Sequence, residues 1–230
     1  MIRAQIILWS LVLMSSIAVG NDIYIQQSGD NLDLDITQDG QNNIAGTSTT
    51  GISLIGNNVT FNIDQVGNAN IISTTIKGNT YTGNIDLTGD SNDVALLCDA
   101  NGSSNCETVS MSIDVTGDSA DINVTIGSSA DAKNFVGTID VTSAADETIT
   151  LTVNAENADA DIDVTNSSGS AGNTGTYSQT GDGDSAGHSL KHTHTGDGGL
   201  TVINQSGIYD NKIDLTTSGD GAEVNITQSD

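Results

Sequence analysis

A short phrase, apolar, Asp or Asn, apolar, then often Thr, returns along the whole chain. It stands at Leu34-Asp35-Ile36-Thr37, Phe61-Asn62-Ile63-Asp64, Ile85-Asp86-Leu87-Thr88, Ile113-Asp114-Val115-Thr116, Ile139-Asp140-Val141-Thr142, Ile162-Asp163-Val164-Thr165 and Ile213-Asp214-Leu215-Thr216. The starting positions advance by 27, 24, 28, 26, 23 and 51 residues, and Leu190-Lys191-His192-Thr193 fills the place that the long step skips. Between the phrases lies a second alternating segment, as at Ile23 to Gln27, Ile71 to Ile76, Ile122 to Ile126, Ile149 to Val153 and Val224 to Thr227; the stretch around Tyr177 is its least regular member. Strict alternation puts Ile, Leu and Val on one face and Asp, Asn and Thr on the other, the signature of a strand with one buried side. No segment after residue 20 has helical periodicity.

The joints repeat as well. Strands end in Gly followed mostly by Asp or Asn, as at Gly29-Asp30, Gly67-Asn68, Gly78-Asn79, Gly89-Asp90, Gly117-Asp118, Gly181-Asp182 and Gly196-Asp197. Glycine supplies positive φ and Asn or Asp tolerate it, so each joint is a turn with a mechanism. A strand-turn-strand-turn unit of this length cannot bury its apolar face alone, but stacked copies enclose a continuous thin core. The pattern predicts an all-β fold, a β-solenoid of about eight strand-turn-strand-turn coils in two stacked parallel sheets. At the interstrand spacing that makes a rod on the order of 40 Å long. Residues 21–230 read as one such domain.

Composition changes this picture in three ways. The 230 residues hold 30 Asp and Glu against 5 Lys and Arg, a net charge of -25, with 26 Gly, no Pro and 3% aromatics. So few cations exclude nucleic-acid binding, which depends on counterion release from phosphate. Low hydrophobicity with high net charge describes a disordered chain, whereas the wealth of Ile, Val and Thr without Pro describes strands; the periodic arrangement decides for strands. At the amino terminus, Arg3, the apolar run Ile6 to Ala18 and the small-x-small site Ala18-Val19-Gly20 read as a secretory signal peptide, residues 1–20, too short for a bilayer span. Export without insertion in the membrane is therefore expected, and it leaves four lysines and no arginine. In an oxidising compartment Cys98 and Cys106, which bracket a polar turn, are expected to form a local disulfide.

At these residues the sequence resembles the curlin repeat of curli subunits, whose unit places Gln, Gly two later, Asn five later, a small residue seven later and a second Gln eleven later. Gln27, Gly29 and Gln38 match, as do Gln38, Gly40, Asn43 and Ala45, then Gln65, Gly67 and Asn70. Gln179 and Gly181 match, Gln205 and Gly207 keep the start, and Gln228 lies one coil later. The family's Ser before the first Gln is absent, and residues 90–175 keep strands and turns without the Gln. The resemblance implies a secreted functional amyloid, a fimbrial subunit for adhesion or biofilm matrix. Its implied partners are further copies of itself, a nucleator subunit and an export channel. Open terminal strands and aligned Gln and Asn support self-pairing, while the charge opposes it and makes assembly dependent on salt and on diffuse divalent cations.

Other chemistry is thinly supported. His188, His192 and His194 have even spacing and share one face; the separations along a strand, about 7 and 14 Å, fit a solvated His-rich strand better than a Zn, Cu or Ni site. Asp182-Gly183-Asp184 has a weak likeness to calcium turns but lacks their periodicity. No cofactor is implied. Paired carboxylates such as Asp161 and Asp163 occur on almost every outer face, and no nucleophile elbow, zinc-helix motif or phosphate loop is present, so catalysis is not expected. The rival non-enzymatic reading is a monomeric acidic solenoid, an ice- or surface-binding or adhesin module, with Thr at the fourth place of the phrase.

Overall fold

The computed structural model describes residues 22–40, 42–46, 51–67, 69–98, 106–127, 132–143, 146–166, 173–180, 187–206 and 211–229. The expected signal peptide, Asp182-Gly183-Asp184, Gly181 and Gly207 lie outside them. Every regular element among the described residues is a strand. They are β1 (Asp22–Ile23), β2 (Gln26–Ser28), β3 (Asp33–Asp39), β4 (Ile44–Ala45), β5 (Ile52–Ile55), β6 (Val59–Val66), β7 (Ala69–Lys77) and β8 (Thr80–Cys98). The second half holds β9 (Thr108–Ile126), β10 (Ala132–Ser143), β11 (Glu147–Asn166), β12 (Thr174–Thr180), β13 (His188–Thr195), β14 (Leu200–Ser206), β15 (Lys212–Ser218) and β16 (Glu223–Ser229).

All pairings are parallel and join each strand to the one a coil away. A front sheet takes β3, β6, the first parts of β8 and β9, β10, the second part of β11, β13 and β15. A back sheet takes β1 with β2, β4 with β5, β7, the second parts of β8 and β9, the first part of β11, β12, β14 and β16. The long strands β8, β9 and β11 bend round a corner and serve both sheets. The protein is an all-β parallel β-solenoid, as the period predicts. The coil count differs slightly: about six turns have neighbours on both sides, with β3 and β15 as the open first and last front strands.

Parallel pairing in register stacks like on like. On the front sheet Ile36, Ile63, Ile85, Ile113, Ile139 and Ile162 form one inward column, each at most 5% exposed. Burial of a side chain of this size contributes about 1.5–3 kcal/mol, so this column is a main source of stability. On the back sheet Ile72, Val94, Ile122 and Ile149 stack in the same way. β12, around Tyr177, is as regular as its neighbours, with strictly alternating burial.

Two sheets packed about 10 Å apart leave little depth for a ring. Buried aromatic side chains therefore lie over glycines. Phe61 sits on its register partner Gly83, where an added Cβ would collide with the ring. Phe135 covers Gly137 two positions along its strand, and Tyr177 covers Gly175 in the same way.

The register corrects the phrase alignment in two places. Phe61 pairs with Gly83, not Ile85, and Ile162 pairs with His192, not Leu190. Each error is a slip of two residues, which preserves the face, so the inside and outside assignments survive it.

Candidate functional site

The repeat glutamines other than Gln27 form two ladders, one in each sheet, buried except at Gln228. On the front sheet Gln38 and Gln65 are register partners, 3% and 0% exposed, and Gln65 Nε2 donates to Gln38 Oε1. On the back sheet Gln205 Nε2 donates to Gln179 Oε1 at 2.7 Å, and Gln228 Nε2 donates to Gln205 Oε1 at 3.2 Å. Three of these amides also tie their strand to the opposite sheet. Gln38 Nε2 donates to the Ile44 carbonyl at 3.2 Å, Gln179 Nε2 to Ser189 at 3.1 Å, and Gln205 Nε2 to Lys212 at 3.2 Å. A primary amide with two donors and an acceptor is the side chain that can clamp the next strand and join its own column at once.

Gln27 belongs to neither ladder. It is exposed on the first back strand, and its partner is Leu54. The back column then runs Leu54, Ile76, Cys98, Ile126 and Val153 before Gln179. Amides at the two ends and aliphatic side chains between them account for the loss of the repeat's Gln between residues 90 and 175. Where the front column passes from Gln65 to Leu87, Gln65 Oε1 has no partner among the described residues.

The repeat asparagines form a third ladder at the corner. Asn43 Nδ2 donates to the carbonyls of Gln38 and Val66 at 2.9 and 2.8 Å. Asn70 Nδ2 reaches the Gln65 carbonyl at 3.3 Å, and Asn92 Nδ2 donates to Asn70 Oδ1 at 3.1 Å. Asn92 keeps the repeat's spacing of Asn three residues after Gly, here Gly89, although Leu87 takes the Gln place, and its register partner is Asn70. The repeat's Gly has a steric cause wherever a coil lies beneath it, as at Gly67 after Gln65 and at Gly89 after Leu87. A Cβ on Gly67 would strike the Gly40 carbonyl and the Asn43 carboxamide, and one on Gly89 would strike Gly67 and Asn70.

The histidines overturn the expectation of a solvated strand. His188, His192 and His194 do share one face, but it is the inner one, and they are 0%, 2% and 4% exposed. Among the described residues no group of three or more His, Cys, Asp or Glu could hold a metal ion. His192 lies beside Tyr177 with ring centroids 5.0 Å apart. Its Nδ1 lies 3.1 Å from the Ile162 carbonyl, which can only accept, so Nδ1 carries the proton and Nε2 accepts from Thr201 Oγ1 at 3.4 Å. Burial lowers its pKa to about 4, against the pull of the Ile162 hydrogen bond. Tyr177, His192, His194, Thr201 and the buried Glu147 surround a cavity of about 10 Å³, room for about one water. Glu147 stands in the asparagine column, its register partner being Ala120.

Outside, the register adds Asp64 to the column of aspartates that the phrase alignment stacks. Asp64, Asp86, Asp114, Asp140 and Asp163 stand one per coil. Desolvation and then their acidic neighbours raise the pKa of Asp86 and Asp140. Two residues on, Thr88, Thr116, Thr142 and Thr165 form a parallel column. Cys98 and Cys106 are disulfide-bonded, with Cα atoms 6.3 Å apart, and both are buried.

At the ends, among the described residues, β3 pairs only with β6 and β15 only with β13. Among them β2 likewise pairs only with β5 and β16 only with β14. Tyr24, between β1 and β2, and Ile226 on β16 are 47% and 49% exposed. No family model, curated protein or solved structure matches the chain.

Proposed function

We propose that this chain is an exported structural subunit that polymerises end to end into curli-like amyloid fibres for adhesion or matrix. The observation that carries the reading is the pair of unfinished ends. Each sheet stops, at both ends of the described stack, in a strand whose outer row of N–H and C=O groups has no partner among the described residues, and such rows pair with another chain. The Gln ladders support it, because they run out to Gln228 on the last strand with the amide spacing that a further copy continues. The net charge sets the conditions: neighbouring subunits repel until salt or divalent cations screen them.

The test is to dialyse the exported chain into increasing salt and follow thioflavin fluorescence and electron microscopy. Fibres that form faster as ionic strength rises agree with the reading. A β-rich monomer that persists at high salt overturns it and favours a monomeric surface- or ice-binding module. The threonine column favours that second reading; the aspartate column two residues away counts against it, because a flat hydroxyl array is broken by charge. Ice-recrystallisation inhibition by the monomer would be its signature.

A further inference from the structure

Resting on the fibre reading, we infer that successive subunits are rotated by half a turn about the fibre axis, so that β15 and β16 of one copy carry β2 and β3 of the next. The partner is a second copy of this chain, and the argument lies in the parity of the stack. The described strands alternate between the sheets, and the first and the last both belong to the back sheet. The back sheet therefore has one strand segment more than the front.

If two copies stack without rotation, β16 meets β2 and the back sheet continues, but the front sheet is left with an empty slot one strand wide between β15 and β3. A half-turn exchanges the sheets and preserves strand direction, because front and back strands run opposite ways round the coil. The next copy's β2 then lies on β15 and its β3 on β16, and no slot remains.

The side chains and turns fit this joint. The inward series Val224, Ile226, Gln228 meets Leu34, Ile36, Gln38, apolar on apolar and amide on amide. The outermost turns, Gly219-Asp220 at one end and Gly29-Asp30 at the other, are stacked together by the half-turn and kept apart without it. Within the chain this turn already stacks on itself. Asn57 N donates to Asp30 Oδ1 at 2.9 Å, and Asp220 N to Asp197 Oδ1 at 3.0 Å. A Cβ on Gly56 or Gly219 would strike the carbonyl of the glycine one coil below, Gly29 or Gly196, whereas one on Gly29 meets nothing within 4 Å. The half-turn supplies the missing carbonyl, from Gly219. Charge agrees: the exposed Lys212 comes opposite Asp22. Glu223 meets an acidic residue in either arrangement, Asp33 with the half-turn and Asp22 without it.

The experiment uses exposed positions, so that folding is undisturbed. With Cys98 and Cys106 bonded to each other, each variant carries one free thiol. Asn225→Cys subunits are mixed with Asp35→Cys subunits, and separately with Tyr24→Cys subunits, assembled in salt, oxidised mildly and digested for mass spectrometry. The half-turn places residue 225 opposite 35, with Cα atoms about 4.8 Å apart and within disulfide range. The 225–35 link is expected in about tenfold excess over 225–24, since the second pair lies in different sheets of that joint. A companion mixture of Asp214→Cys with Tyr24→Cys is expected to link as well. Dominant 225–24 linkage, or fibres that form without either link, overturns the half-turn while leaving the fibre reading intact. Absence of fibres from the unaltered chain overturns both.

Discussion

Gln205 Nε2 gives one hydrogen to Gln179 Oε1 at 2.7 Å and reaches the Lys212 carbonyl at 3.2 Å. One amide thus fixes the register along the stack and the position of the next strand across it. A leucine has the volume for the site, as Leu54 shows in the same column, but none of the bonds.

Gln205→Leu is therefore expected to destabilise the protein by about 1–3 kcal/mol, since it strands the Gln179 oxygen in the core. Adding Gln179→Leu removes the stranded group and is expected to recover most of the loss, with Gln228 free to turn to water. Denaturant midpoints of the two variants check this. A double variant less stable than the single one would mean that the ladder itself, and not the unpaired group, sets the energy.

The ring of Phe61 fills the space that a side chain at Gly83 would need. Gly83→Ala is expected to cost about 1–3 kcal/mol through overpacking, and Phe61→Leu in the same chain should restore part of it. Thermal melts of the single and double variants give the coupling.

Asp114 stands between Asp86 and Asp140 in the outer column, and both have pKa values raised by burial and then by their acidic neighbours, Asp114 among them. Asp114→Asn is expected to stabilise the folded chain by about 0.2–1 kcal/mol at low ionic strength, the range for like charges across a strand pair. The gain should shrink as salt is added, because the column is exposed to solvent. Stability measured with and without salt decides it, and NMR titration should show Asp86 ionising at lower pH in the variant.

The pH profile has two opposed parts. His192 is held neutral by burial, its pKa lowered from 6.5 to about 4, so the unfolded chain takes up the proton first. Its contribution is intact above about pH 6.5 and is lost as the pH falls toward 4, a change of up to about 3 kcal/mol. The raised carboxylates Asp86, Asp93 and Asp140 have the opposite sign. Their contribution is full below the ordinary carboxylate range and is lost as the pH rises through their raised values. Urea midpoints are expected to drop between pH 6.5 and 4.5, and His192→Leu should flatten that drop; an unchanged slope in the variant would place the acid sensitivity elsewhere.

Much of the fold was legible because a strand with one buried side has a period of two that a slip cannot hide. Alternation alone turns Ile36, Ile63, Ile113, Ile139 and Ile162 inward and gives the three histidines a common face, and Gly followed by Asp or Asn marks the turns. The histidines' environment was not legible. Polarity argued for water, whereas parallel stacking placed His192 on Ile162, and a face that is apolar for six coils stays inside for the seventh whatever residue it carries. Glu147 was hidden for the same reason, being buried by the column it joins.

The amino-acid sequence by itself determined the class, the corners and which side of each strand is inside, because these follow from local alternation and from residues that tolerate a turn. Only the tertiary structure decided who stands on whom. Coils of unequal length, 22 residues from Ile63 to Ile85 and 30 from Ile162 to His192, can slide by two without exposing the core. Which of those registers wins is set by contacts between coils: a ring that needs a glycine, an amide that needs an amide, and carbonyls that leave no room for a Cβ.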